Sequence, residues 1–131
     1  MQTELSASLD RERLLSPMDC IFCTLDQLNL IGENEHAYAV RDKFPIKPLH
    51  TLIIPKRHIQ DIFESNAEER EAIHELAILC RNAIRGEDAS VEGFNFGSNI
   101  GSVAGQKIMH AHVHLIPRRL GDLPPPPARH E

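Results

Sequence analysis

Three histidines stand at alternate positions, His110, His112 and His114, in the segment His110-Ala111-His112-Val113-His114-Leu115-Ile116-Pro117. On a β-strand, side chains alternate faces with a period of two. The three imidazoles then line one face, and Ala111, Val113 and Leu115 line the other. Three groups that titrate near neutral pH are an unusual choice for a core face. They suit a site that handles protons, phosphate or metal. Alternate residues on a strand lie roughly 6.6 Å apart and the outer pair roughly 13 Å apart, whereas a zinc–imidazole bond is about 2.0 Å. One ion can take two neighbours of this row but reaches all three only with difficulty. The three histidines therefore have different tasks.

Cysteine supplies a second cluster. The chain has three cysteines, too few for a disulfide framework, and two of them form Cys20-Ile21-Phe22-Cys23. In a reducing compartment that spacing means metal or redox chemistry. A thioredoxin-like redox motif needs a strand before it, and Asp10 to Asp19 does not read as one. Metal is the preferred reading. Cys80 lies in an amphipathic helical pattern and reads as a small core residue.

The elements that must position these groups follow from the remaining pattern. Residues 1–18 show no clear periodicity and read as a flexible N-terminal segment. Leu28 to Ile31 is a short apolar run, Gly32-Glu33-Asn34 reads as a turn, and His36 to Val40 reads as the hairpin partner. Phe44 to Pro48 carries two prolines and is a loop. Thr51 to Ile54 is a continuous apolar run, which suggests a central strand buried on both faces, and Pro55 ends it.

A helix starts near Ser65-Asn66-Ala67-Glu68-Glu69, where either Ser65 with Glu68 or Asn66 with Glu69 makes a capping box. Ile73, Leu76, Ala77, Cys80 and Ile84 then keep helical spacing, with Gly86 as the stop. Gly93 to Ser98 alternates as a strand, Ile100 to Gly105 is a loop, and Lys107 to Ile116 is the strand of the histidine row. Pro124 to Pro127 make the last residues a tail that is neither helix nor central strand. Strands, one long helix, then strands imply an α+β domain with an antiparallel sheet.

Length and composition bound the class. A chain of 131 residues with 41% apolar side chains is one domain with a real core. A net charge of −5 argues against broad nucleic-acid binding but not against a single nucleotide, for which a local positive site suffices. No stretch approaches the roughly 20 apolar residues of a membrane span. Met1 to Arg13 lacks the apolar centre of a signal peptide, so a cytoplasmic location is expected.

The histidine row, with apolar residues between and after its members, resembles the signature of the histidine triad (HIT) family of nucleotide hydrolases and transferases. The likeness extends to His50-Thr51-Leu52-Ile53-Ile54-Pro55-Lys56-Arg57-His58, to Asn99, to Gly105-Gln106 and to the Cys20–Cys23 motif of bacterial, zinc-bearing members. It runs from about Asp19 to Gly121. The implied organisation is a flexible segment over 1–18, a HIT domain over 19–121 and a proline-rich tail over 122–131. The implied fold is a five-stranded antiparallel sheet with one long helix and short helices. The resemblance also implies a two-fold homodimer.

The same resemblance assigns tasks. His112 is the nucleophile that takes the nucleoside α-phosphate as a covalent nucleotidyl intermediate. A main-chain carbonyl near His110 orients its ring, and His114 donates to the phosphate or to the bridging oxygen of the leaving group. Gln106 contacts phosphate and positions the leaving group or water. Asn99 binds near phosphate and ribose, and Asp42, eight residues before His50, accepts from the ribose hydroxyls. Ile21 and Phe22 pack against the base. Lys107 stands where many members carry Ser or Thr, so its N–H and ammonium are the phosphate-binding groups available there.

Zinc-bearing members imply Cys20, Cys23, His50 and His110 as four ligands of a closed structural zinc site. His58 reads as structural, and His36, His74 and His130 as surface residues. The substrates implied are nucleoside phosphoramidates, nucleotidyl-amino acids or dinucleoside polyphosphates. His114 favours hydrolysis, because the transferase branch tends to carry Gln there. Three other readings stay open: a nucleotidyltransferase of the same superfamily, a hydrolase with a catalytic zinc on the triad, and a zinc-stabilised nucleotide-binding module with little turnover.

Overall fold

The structure, a computed structural model, describes residues 20–24 and 29–123. The expectations for residues 1–18, for His130 and for the proline run lie outside those residues. Five strands form one antiparallel sheet: β1 (Leu30–Glu33), β2 (Ala37–Arg41), β3 (Thr51–Pro55), β4 (Val91–Gly97) and β5 (Val113–Arg119), in the order β1-β2-β3-β5-β4. One long helix, α1 (Ala67–Glu87), packs on the sheet, and 3-10 turns occur at Ile21–Cys23, Ile62–Glu64 and Ser102–Ala104.

β3 is buried along its whole length between β2 and β5, as its unbroken apolar run requires. On one sheet face Ala37, Ala39, Ile53, Val113 and Leu115 meet Ile73, Leu76, Cys80 and Ile84 of α1. Cys80 is the small core residue its helical position implied. Asn66 starts α1: its side chain accepts from the Glu69 N–H, and Glu69 accepts from the Asn66 N–H. Of the two possible capping boxes this is the one that forms. Gly86 does not stop the helix, which runs through it to Glu87.

The opposite sheet face carries Tyr38, Val40, Leu52 and Ile54, covered by Cys20, Phe22, Cys23 and Ile108. Tyr38 donates its hydroxyl hydrogen to the Phe22 carbonyl and so ties the cysteine turn to the sheet. This face holds the candidate site.

Strand boundaries shift by a few residues from the sequence reading, and two of the shifts have a plain local cause. Gly32 and Glu33 belong to β1 rather than to a turn, because Asn34 closes the hairpin itself. Its side-chain oxygen accepts from the N–H groups of His36 and Ala37, and its own N–H bonds to the Ala37 carbonyl. The histidine row is not a single paired strand either. β5 starts at Val113, opposite Ile53, and His110 to His112 precede it. There the Ala111 N–H bonds to Ile59 and the His112 carbonyl accepts from the Ser98 hydroxyl. Pro55, which has no N–H to give, ends β3 just where the ladder would continue.

Candidate active site and metal centre

Two clusters lie on the face away from α1. The first is Cys20, Cys23, His58 and His110, whose ligand atoms all lie within 4.8 Å of one another. His110 Nδ1 is 3.5 Å from Cys20 Sγ, 3.4 Å from Cys23 Sγ and 3.1 Å from His58 Nδ1, and Cys23 Sγ is 3.2 Å from His58 Nδ1. A tetrahedral ion with bonds of about 2.0 Å to nitrogen and about 2.3 Å to sulfur holds its ligand atoms roughly 3.3–3.8 Å apart. The cluster is close to that size. His110 Nε2 lies 2.8 Å from the Pro55 carbonyl and must carry a hydrogen to bond it, which leaves Nδ1 as a lone pair facing the sulfurs. Burial pushes the His110 pKa down to about 4, so the ring is neutral, as a ligand must be. Without an ion, burial and the adjoining Cys20 push the Cys23 thiol up to about 12.

His50, expected as the fourth ligand, is elsewhere. It precedes the N-terminal end of β3, whereas His110 binds the carbonyl of Pro55 at the other end. The strand between spans roughly 17 Å at its ordinary rise. His58, which follows β3 in the loop beyond Pro55, occupies the corner instead. The spacing from Pro55 was the available signal: a histidine just past a strand end can fold back onto that end.

The second cluster surrounds a cavity of about 300 Å³ lined by Asp42, His50, Asn99, Lys107, His112 and His114. Phe22 packs edge-on against both His110 and His112, with ring centres 5.9 and 5.2 Å apart. His112 and His114 follow at 5.2 Å. His112 Nδ1 lies 2.8 Å from the His110 carbonyl. A carbonyl only accepts, so Nδ1 holds the hydrogen and Nε2 keeps its lone pair. Burial lowers the pKa of His112, and burial with the neighbouring His112 and His50 pushes His114 down to about 4. Both rings are neutral near pH 7.

Asp42 and His50 join this row. The Asp42 carboxylate accepts from the Phe44 N–H at 3.0 Å, and its other oxygen lies 3.4 Å from His50 Nε2. His50 Nε2 lies 2.9 Å from His114 Nδ1. Burial lowers the pKa of His50. Ile21 stands apart from this cavity and lines an adjoining one of about 340 Å³, together with Phe22, Asp42 and Phe44. Phe44, Leu52 and Ile108 line both cavities and were not singled out from the sequence. An apolar residue inside a proline-rich loop, as Phe44 is, was the readable sign.

Gln106 departs from its expected place. It is buried and its amide is engaged three times: Oε1 accepts from the Gly101 N–H at 2.8 Å, and Nε2 donates to the carbonyls of Gln60 and Ile108 at 2.6 and 2.9 Å. Gln106 braces the loop, and its neighbours Gly105 and Lys107 face the cavity. Gly105 takes a positive φ of 101°, and a Cβ there would meet Asn99 Nδ2 at 3.1 Å.

Comparison with known proteins agrees with this fold. The HIT domain pattern matches residues 26–121. An uncharacterized HIT-like protein of Mycoplasma genitalium is 39% identical over 103 residues, covering 76% of this chain and 72% of the relative. Among solved structures, a Zn-bound histidine triad family protein from Mycobacterium smegmatis superposes with a TM-score of 0.73 at 31% identity, over 82% of this chain and 80% of that one. A HIT family hydrolase from Clostridium thermocellum superposes with a TM-score of 0.64 at 32% identity, over 82% of this chain and 96% of that one. Such kinship suggests nucleotide-related hydrolase or transferase activity. With its histidine row, its five-stranded sheet and this match over most of its length, the chain belongs to the HIT domain family.

Proposed function

We infer that this protein hydrolyses nucleotides at the nucleoside α-phosphate through a covalent nucleotidyl intermediate on His112. The observation that carries this reading is the bond from His112 Nδ1–H to the His110 carbonyl. It directs the lone pair of a neutral ring to Nε2, the form in which imidazole is a nucleophile. Nε2 forms a bond to phosphorus while the bond from phosphorus to the leaving atom breaks. The leaving group departs with that electron pair. His114 hydrogen-bonds the leaving atom, and an amine leaving group takes its proton from water. The charge on the modified His112 ring is shared through Nδ1–H with the His110 carbonyl. Water then attacks phosphorus, loses a proton to solvent, and His112 Nε2 departs with its electron pair.

Asp42 is suited to accept from ribose hydroxyls, since each carboxylate oxygen has lone pairs beyond its present bonds. Phe22, Phe44 and Ile108 offer apolar contacts to a base, and Lys107 and Asn99 offer donors to phosphate. Cys20, Cys23, His58 and His110 would hold a zinc ion, which supplies a structural cross-link rather than an open position for water. Phosphoramidates, nucleotidyl-amino acids and dinucleoside polyphosphates are the substrate classes proposed. The chain is proposed to act in the cytoplasm as a homodimer; β4 at the sheet edge is available for pairing with a second copy. Among the described residues no helix is long and apolar enough to cross a membrane.

The test is denaturing intact mass spectrometry after a brief quench with adenosine phosphoramidate and diadenosine polyphosphate. A nucleotidyl adduct on the wild type and none on His112→Ala is the expected result. Product formed by both proteins without an adduct removes His112 from this role.

A further inference from the structure

The substrate classes proposed above share their nucleotidyl half and differ in the leaving group. Beyond His114 lies a second cavity, of about 420 Å³. It shares Ile46, Asn99 and His114 with the nucleotide cavity, so the two meet at those residues. Asn95, Ser98 and Ile116 extend its wall. A leaving group that departs past His114 enters this space.

β5 carries the site face onward from His114. Strand alternation puts Ile116 and then Arg118 on that face. Asn95 of β4 pairs with Ile116, which makes it the diagonal neighbour of Arg118. Arg118 Nε donates to Asn95 Oδ1 at 2.6 Å, and this bond anchors the guanidinium beside the cavity wall. Its two terminal amino groups meet no acceptor among the described residues, and no carboxylate there pairs with it. The adjacent Arg119 differs: Asp88 holds it at 2.9 and 3.2 Å, and the Pro48 carbonyl at 3.1 Å. Arg57 is likewise held by Glu69. Arg118 is thus a fixed cation with donors to spare. Its charge is one of the causes that lower the pKa of His50, so its field reaches the histidine row.

We propose that the second cavity is a leaving-group subsite, and that Arg118 makes it selective for an anionic leaving group, a nucleoside polyphosphate, over an amine. A guanidinium presents a planar fork of donors that matches phosphate oxygens. The Cα atoms of His114 and Arg118 are roughly 13 Å apart along the strand. The extended arginine side chain and the further phosphates of the leaving group together bridge that gap. When His112 Nε2 bonds to the α-phosphorus, the bond from phosphorus to the bridging oxygen breaks. The electron pair stays on that oxygen, which becomes a terminal phosphate oxygen of the departing nucleotide. The added negative charge then lies on the Arg118 side of His114. An amine leaving group gains nothing from a cation there. Among the described residues lining the nucleotide cavity, Lys107 is the one other full positive charge, and none lines the second cavity.

The proposal deepens the hydrolase reading and rests on it for the place of the α-phosphate, but its first test needs no turnover. Calorimetry on the full chain gives Kd for AMP and for ATP, whose further phosphates reach into the second cavity. The wild type is expected to bind ATP roughly tenfold more tightly than AMP, with the gap narrowing as salt is raised. Arg118→Gln closes most of that gap, and Arg118→Lys keeps part of it. Equal Kd values for AMP and ATP in the wild type overturn the proposal. A gap that survives intact in Arg118→Gln belongs to Lys107 and overturns it too.

Turnover gives the second test. Arg118→Gln is expected to lower kcat/KM for diadenosine tetraphosphate roughly tenfold more than for adenosine phosphoramidate. Equal losses on both substrates reduce Arg118 to a structural part and overturn the proposal. If the Gln variant does not fold, the wild-type Kd values and Arg118→Lys decide. An Arg118-dependent preference for ATP in a protein that turns over neither substrate upholds the anionic subsite and overturns the hydrolase reading. Turnover through His112 with no such preference does the reverse.

Discussion

The Nδ1 atoms of His58 and His110 lie 3.1 Å apart although 52 residues separate them. These two ring nitrogens, held beside the sulfurs of Cys20 and Cys23, make four ligand atoms of about tetrahedral size. The His110 side of it is locked by the Pro55 carbonyl. Metal analysis of the purified protein should find about one zinc per chain. His58→Ala and Cys23→Ser should lose most of it, whereas His50→Ala should retain it. Zinc loss on His50→Ala with retention on His58→Ala would reverse the assignment. Chelation should also lower Tm, because a closed structural ion contributes folding free energy directly.

Gly105 holds a left-handed conformation against Asn99. Gly105→Ala combines an unfavourable φ with a displaced Asn99. A strain of about 1–2 kcal/mol is expected. Calorimetry should show the lower Tm, and KM for a nucleotide substrate should rise as Asn99 moves out of the cavity. Unchanged KM would show that Asn99 does not bind substrate.

Gln106 is expected to act through the loop rather than by touching substrate. Gln106→Glu keeps the size of the side chain but loses the donors to Gln60 and Ile108. Burying those acceptors unpaired beside a carboxylate should cost about 1–3 kcal/mol or more. Stability should therefore fall along with activity, measurable by denaturant unfolding. Full stability with lost activity would instead restore a direct contact with substrate.

Acid should weaken the start of α1. The Arg57 guanidinium and the Asn66 N–H hold the Glu69 carboxyl below its ordinary value of 4.5. A carboxyl whose pKa is lower folded than unfolded stabilises the protein at pH values above 4.5. That contribution is lost as pH falls through the folded value. The Tm gap between wild type and Glu69→Gln should thus be wide at pH 7 and narrow under strong acid. Asn66→Ala should cost about 1 kcal/mol at either pH, as the loss of a cap does.

Much of this protein is determined by local sequence. The unbroken run Thr51 to Ile54 has to be a strand buried on both faces, and the helical spacing from Ile73 to Ile84 has to bury one face of a helix. The alternation of His110, His112 and His114 already separates their tasks, because strand rise keeps one ion from serving all three. These properties depend on residues close together along the chain. The partners across the fold do not. Whether His50 or His58 completes the cysteine cluster depends on which end of β3 the antiparallel register brings to His110. The engagement of Gln106 depends on a carbonyl, that of Gln60, 46 residues away. The approach of His50 Nε2 to His114 Nδ1, 2.9 Å, joins residues 64 apart along the chain. Spacing encodes a residue's face and period, but a hydrogen bond needs both position and direction, and only the packed chain supplies those.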